Sequence, residues 1–148
     1  MLNEDKLNKV YQVAIYIRLS REDGDKEESN SVENQRIMLK RHIQSQEDMF
    51  LYGEYVDDGY TGTDFNRPAF QRMLNDIEQK KLNCVIVKDL SRFGRDYIDT
   101  GHYIERYFVD EDIRFIAIND AIDSLHTGYD MILPIKNIFN QQYAVDIS

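Results

Sequence analysis

The chain has 148 residues, of which 27 are acidic and 18 basic, giving a formal net charge of −9, and it contains one cysteine, Cys84. That length suits one domain with a substantial core plus the start of a further element, and a lone cysteine in an apolar run excludes a disulfide framework or a cysteine metal cluster and fits a reducing cytoplasm. No run approaches the length of a membrane span, and the polar stretch Met1 to Lys9 lacks the apolar segment of a signal peptide.

Gln12 to Leu19 is the first strongly apolar run. Val13, Ile15, Ile17 and Leu19 alternate with Ala14, Tyr16, Arg18 and Ser20, which predicts a strand with Tyr16, Arg18 and Ser20 on one face. Ser20 would then stand at the carboxyl edge, where open α/β sheets collect their ligands. An acidic stretch, Glu22 to Glu28, follows and reads as a mobile loop. Val32, Leu39 and Ile43 mark an amphipathic helix whose first turn holds Gln35, able to offer an amide to a phosphate oxygen or to cover the helix end.

Phe50 to Val56 reads as the second strand, followed by Asp57-Asp58-Gly59, a turn where aspartate is ordinary. Pro68 suits the first position of a helix running to Lys80, with Arg67 at its N-cap and Phe70, Met73, Leu74 and Ile77 on its apolar face. The amides and dipole at such a helix start favour phosphate, and Arg67 would add a fixed charge. Cys84 to Val87 is a short buried strand leading into Asp89-Leu90-Ser91-Arg92-Phe93-Gly94-Arg95. Arg92 and Arg95, three apart, would be neighbours on a helical turn and could grip one anion. Gly94 between them either lets backbone approach a phosphate closely or relaxes a helix start. A third helix carries Tyr97, Gly101, Ile104 and Phe108, and Ile113 to Ile118 is the fourth strand. From Tyr129 on, Ile132, Ile135, Phe139 and Tyr143 form a last apolar stripe at helical spacing, with no stop signal before Ser148.

This alternation predicts an α/β fold of three layers, a mostly parallel sheet of four to five strands with helices on both faces. His42, His102 and His126 are far apart and show no ligand spacing, so no metal or other cofactor is expected. Taken singly, a strand-end serine is commonly a turn former and an arginine pair is commonly solvated surface. Together, one serine facing several arginines points to chemistry on a phosphate.

The ordered motifs Tyr16-x-Arg18-x-Ser20, Ser31-x-x-x-Gln35, Gly62-x-x-x-x-Arg67-Pro68 and Asp89-Leu90-Ser91-Arg92-Phe93-Gly94-Arg95 resemble the catalytic domain of the serine recombinases, the resolvase and invertase family, and most of all its large transposon- and phage-borne members. The likeness runs from about Val13 to Ser124. It implies a catalytic domain over residues 1–125, with 126–148 beginning a long connecting and oligomerisation helix whose downstream DNA-binding domains are absent. It further implies that Ser20 attacks a DNA phosphodiester, leaving a 5′-phosphoserine link and a free 3′-hydroxyl that is later resealed. Arg18, Arg67, Arg92 and Arg95 would bind the phosphate and its transition state, with Tyr16, Gln35, Asp58, Asp89 and Ser91 in support. Phosphoryl transfer needs mainly positioning and charge neutralisation, which arginines supply without a metal, and the covalent intermediate removes any need for ATP.

Ser91 stands where small resolvases commonly have aspartate, as in the large members. The proton acceptor for Ser20 stays open, because Asp58 or Asp89 beside arginines would make a poor base; both are expected to orient arginines instead. The implied partners are double-stranded DNA and further copies of the chain, from dimer to synaptic tetramer, in a bacterial or phage-encoded cytoplasmic protein. A net acidic chain fits that only if affinity belongs to other domains. The stretch Glu22 to Glu28 would then also repel DNA from Ser20 until partners reorganise the site. A signalling receiver shares the alternating architecture but needs an acidic pocket, whereas Arg18 and Ser20 close the first strand here. A non-catalytic oligomerisation module of the same fold is the remaining alternative.

Overall fold

The computed structural model describes residues 9–20 and 31–127. The acidic stretch after Ser20 and the apolar stripe beyond Tyr129 lie outside the described residues. Five strands, β1 (Tyr11–Leu19), β2 (Met49–Asp58), β3 (Cys84–Val87), β4 (Arg114–Ala117) and β5 (Ile122–Asp123), form one sheet in the order β2-β1-β3-β4-β5. The first four are parallel and β5 runs antiparallel to β4. The helices are α1 (Val32–Gln44), α2 (Pro68–Glu78), α3 (Leu90–Phe93), α4 (Tyr97–Gly101), a π-helical segment His102–Tyr107, α5 (Phe108–Asp110) and α6 (Ser124–Thr127). The expected boundary at residue 125 therefore falls within α6.

The period-two pattern of β1 splits the core in two. Val13, Ile15 and Ile17 pack with Leu39 and Ile43 of α1, and with Cys84, Ile86 and Ile116. On the other face Ala14 and Tyr16 pack with Phe70, Met73 and Ile77 of α2, and with Phe93, Ile104, Phe108 and Phe115. Both faces are covered, so the sheet lies between two helical layers, as the alternation predicts.

Three details differ from the sequence reading. β2 continues to Asp58, because its pairing with β1 persists to Leu19. The register slips between Val13 and Ala14, which pair with Leu51 and Gly53, so Tyr52 is the extra residue of a β-bulge on this edge strand. The third helix is interrupted by π-helical turns. Thr100, Ile104 and Phe108 are all buried at a spacing of four, which overshoots by about 40° per step in a pure α-helix. The wider π turn cancels that drift and keeps the three on the core.

Phe93 is the hub that fixes α3 under the sheet edge. Its ring lies 5.1 Å from Phe115, 5.4 Å from Phe65, 5.6 Å from Phe70 and 5.7 Å from Phe108, at tilted or edge-on angles favoured by aromatic quadrupoles. Because β1 and β3 are parallel neighbours, the residues after both strands emerge at the same edge.

The far end of the sheet is closed by an ion pair. Arg114 donates from Nε and Nη2 to the two carboxylate oxygens of Asp123 at 3.0 and 2.7 Å. Burial raises the Asp123 carboxyl, but the Arg114 hydrogen bonds and charge outweigh it and hold the group below the usual range. A depressed carboxyl stabilises the fold above its unfolded pKa, and that stability is lost as pH falls through the folded value. Asp123→Asn is expected to lower stability by about 1.5–3 kcal/mol at neutral pH. The difference from the unsubstituted chain should shrink in urea titrations as pH falls below about 4.

Candidate functional site

Ser20 follows the last residue of β1 and is 5% exposed. Two residues before it, Arg18 has no exposed surface and joins four segments of chain. Its guanidinium donates to three main-chain carbonyls: Nη2 to Ser91 at 2.6 Å, Nη1 to Tyr60 at 3.0 Å and Nε to Arg92 at 3.3 Å. Its own carbonyl accepts from Gln35 Nε2 at 3.2 Å and from Arg92 Nη1 at 3.4 Å. The structure thus brings together Arg18, Ser20, Gln35 and Arg92, which the sequence spreads over more than 70 positions.

Gln35 is fully buried and binds backbone, so it fixes α1 against the end of β1. Its neighbour Ser31 caps that helix by accepting from the Asn34 amide at 3.1 Å.

Arg67 occupies the N-cap of α2 with extended backbone, φ −120° and ψ 130°, as the following proline demands. Its side chain turns inward. Nη1 donates to the Tyr16 hydroxyl at 2.9 Å, Nη2 to the Phe93 carbonyl at 2.7 Å and Nε to the Asp64 carbonyl at 2.9 Å. The guanidinium lies 4.5 Å from the Phe65 ring centre and 5.2 Å from that of Phe70, within cation–π range. Burial pushes its pKa down, yet an arginine stays protonated at physiological pH.

The start of α2 differs from the expected phosphate cradle. Asp57 Oδ1 accepts from the Ala69 amide at 2.9 Å, and Oδ2 accepts from the Phe70 amide at 3.0 Å and the Tyr16 hydroxyl at 2.7 Å. A carboxylate from β2 therefore already takes the place an anion would occupy. Burial raises the Tyr16 phenol well above its usual range, so it remains a hydroxyl donor.

Asp57, missed by the sequence reading, is the inward member of the pair; Asp58 is exposed. Strand alternation carries the reason, since β2 pairs Tyr55 with Tyr16 and Asp57 with Arg18, placing Asp57 on the Tyr16 face. A signal was available: Arg67 cannot cap α2 with its own side chain, so the amides after Pro68 required an acceptor from elsewhere.

α3 is held by acids at its start. Asp89 accepts from the Ser91 hydroxyl at 2.5 Å and from the Arg92 amide at 3.2 Å, while its Oδ1 lies 3.7 Å from Arg92 Nε. Asp120, from the turn before β5, accepts from the Leu90 amide at 2.6 Å. The expected orienting role fits Asp89, and Ser91 is its hydrogen-bond donor.

Arg92 and Arg95 do not share a helical turn. α3 ends at Phe93, Gly94 is extended, and Arg95 lies beyond on the surface. Its amide donates to the Gly62 carbonyl at 2.8 Å. A Cβ on Gly62 would lie 2.6 Å from Arg95 Cγ and 2.9 Å from Arg18 Nη2, so this glycine lets the Thr61–Asp64 loop sit on both arginines. Gly94 is required by packing rather than by a ligand, because a Cβ there would meet Phe65 at 2.5 Å and Thr100 Oγ1 at 2.6 Å. Among the described residues no three His, Cys, Asp or Glu side chains come together to hold a metal ion, and no helix is long and apolar enough to cross a membrane.

Asp57 and Asp58 are adjacent and chemically identical, so they separate burial from residue type. Asp57→Ala leaves two α2 amides and the Tyr16 hydroxyl without their acceptor and is expected to destabilise by about 3–5 kcal/mol, whereas Asp58→Ala should stay within about 0.5 kcal/mol. Chemical denaturation of both variants checks the contrast.

Residues 13–148 match the protein family described as "Resolvase, N terminal domain". The N-terminal catalytic domain of TP901-1 integrase has the same fold with a TM-score of 0.73 and 30% identity, over 90% of this chain and 98% of that one. A resolvase family site-specific recombinase from Streptococcus pneumoniae aligns with a TM-score of 0.67 and 26% identity, over 93% of each chain. Uncharacterized immunity region protein 3 of Bacillus phage phi105 is 39% identical over 67 residues, 45% of this chain and 79% of that protein.

Proposed function

The chain belongs to the resolvase family of serine recombinases, whose N-terminal catalytic domain it matches, and on that premise we propose that it cuts and rejoins DNA through Ser20. The observation that carries this reading is the convergence of Arg18, Gln35 and Arg92 on the strand end that bears Ser20. The Ser20 hydroxyl oxygen attacks the phosphorus of a DNA phosphodiester and gives up its proton, the bond from phosphorus to the 3′-oxygen breaks, and that oxygen takes up a proton to leave as a 3′-hydroxyl. A 5′-phosphoserine ester remains. Attack by a 3′-hydroxyl from the exchanged strand reverses the step, so the bond energy is conserved and no nucleotide cofactor enters.

The four arginines divide the work. Arg92 lies beside the strand end, and Arg95 is exposed at the same edge, so these two meet the non-bridging oxygens. Arg18 and Arg67 already hold main-chain carbonyls and act first as fixed positive charge behind the site, in surroundings where charge is poorly screened. Tyr16 and Asp57 position Arg67, and Asp89 positions Arg92. Double-stranded DNA is the substrate. The protein acts as an oligomer built from dimers, because four strands must be cut, in the excision or integration of a mobile element in the cytoplasm of its host.

The test uses the recombinase that carries this domain, incubated with a duplex bearing its recombination site, with covalent protein–DNA adducts trapped by denaturation. Ser20→Ala should abolish the adduct while leaving DNA binding intact. Adduct formation by that variant would overturn the reading. Arg95→Ala is expected to cut the cleavage rate by about 100-fold or more with an unchanged melting curve, since its side chain is exposed.

A further inference from the structure

The turn that follows β2 is tied through its main chain to the edge that bears Ser20. The Gly59 amide donates to the Leu19 carbonyl at 2.7 Å, the Tyr60 carbonyl accepts from Arg18 Nη1 at 3.0 Å, and the Gly62 carbonyl accepts from the Arg95 amide at 2.8 Å. Gly59 takes φ +90°, a conformation that favours glycine, and this sets the direction in which the chain leaves the strand. Ser20 and Tyr60 are thus the residues that follow one hydrogen-bonded pair, Leu19 and Gly59. The backbone of Tyr60 is held in place without any help from its side chain.

That side chain is 40% exposed, and among the described residues its hydroxyl has no hydrogen-bond partner and its ring touches no other ring. Phe50 and Tyr52 are the other largely exposed aromatic residues of the described chain, and both stand near the start of β2, at the far end of that strand. Tyr60 alone presents an exposed ring at the carboxyl edge. A planar ring beside a strand-cutting serine has a specific use. In an intact duplex every base is stacked on both sides. Once the 3′-hydroxyl end moves away, the base of the nucleotide left on Ser20 has lost one of its neighbours. An aromatic side chain can replace that neighbour whatever the base, because every base has a π-face.

We propose that the ring of Tyr60 stacks on the base of the nucleotide esterified to Ser20, in the place of the neighbour lost on cleavage, and so favours the cut state over the sealed one. This rests on the reading of Ser20 as the nucleophile and adds to it a residue that holds the cleaved end. Tyr60 and Ser20 belong to one edge, so the contact travels with the covalent end while the other end departs. Because the free base face exists only after cleavage, the contact shifts the balance between cut and sealed DNA and leaves affinity for the uncut duplex unaltered.

The recombinase that carries this domain is brought to equilibrium with a duplex bearing its recombination site, in which 2-aminopurine replaces the base just 3′ of the cut phosphate. Emission of 2-aminopurine, which stacking quenches, is read first and referred to the amount of covalent adduct found after denaturation. Tyr60→Ala should lower the ratio of adduct to intact duplex about tenfold and raise the emission per adduct severalfold. Affinity for the uncut duplex and the melting curve should not change. Tyr60→Phe keeps the ring and should match the unsubstituted recombinase in both readings. An adduct ratio or an emission unaltered by Tyr60→Ala would overturn the proposal and leave Ser20 as the nucleophile, as would Tyr60→Phe behaving like Tyr60→Ala. Adduct formation by Ser20→Ala would instead overturn the reading of Ser20, and this proposal with it.

Discussion

The carboxylate of Asp57 joins the three parts of the fold that must agree if an active edge is to exist. It takes the Tyr16 hydroxyl from the central strand and the Ala69 and Phe70 amides from the start of α2, and Tyr16 in turn receives Arg67. A buried carboxylate is tolerated only with several good donors, and here two are backbone amides at the positive end of a helix dipole. The polar trio sits against Phe65 and Phe70, where few waters could substitute for a lost partner. Strand, helix and arginine are thereby locked in one geometry.

Arg18 extends the same logic to the carboxyl edge of the sheet. Its donors end on carbonyls of α3 and of the loop after β2, and its carbonyl receives α1 and Arg92. Arg67 likewise holds the Phe93 carbonyl. Two arginines therefore grip α3, capping carbonyls of Ser91, Arg92 and Phe93 that a helix of four residues cannot satisfy internally. Without them, the carbonyls of α3 would lose these donors, and only the acids at its start and the buried Leu90 and Phe93 side chains would hold it. An arginine read from sequence as a phosphate ligand can thus also be what holds its neighbours in place.

Much of this was legible beforehand. The alternation of β1 forecast the shared face of Tyr16 and Arg18, and Pro68 fixed Arg67 at the start of α2. What escaped were the relations that only tertiary contact creates. Nothing local distinguishes Asp57 from Asp58, because the register of β2 against β1 decides which faces Tyr16. The spacing of Arg92 and Arg95 suggested one helical turn, but α3 ends at Phe93 and Gly94 is extended, packed where a side chain would meet Phe65 and Thr100, so the two arginines fall on either side of the helix end. Asp120 lay 30 residues from the amide it caps.

Ser91 gains a physical reason from its surroundings. Its hydroxyl donates to Asp89, whose carboxylate also takes the Arg92 amide and faces the Arg92 guanidinium. An aspartate at this position would set a second negative charge against Asp89 and offer no donor, and with Asp120 on the Leu90 amide a third acid would crowd the start of a four-residue helix. Burial and the nearby Asp89 already push the Asp120 carboxyl above its usual range, the same direction in which a further negative charge would act. Serine keeps the capping geometry, leaves Asp89 to steady Arg92, and lets Arg18 take the carbonyl of the same residue. The two acids around α3 are thus both engaged at its start, Asp89 with the Ser91 hydroxyl and Arg92, and Asp120 with the Leu90 amide.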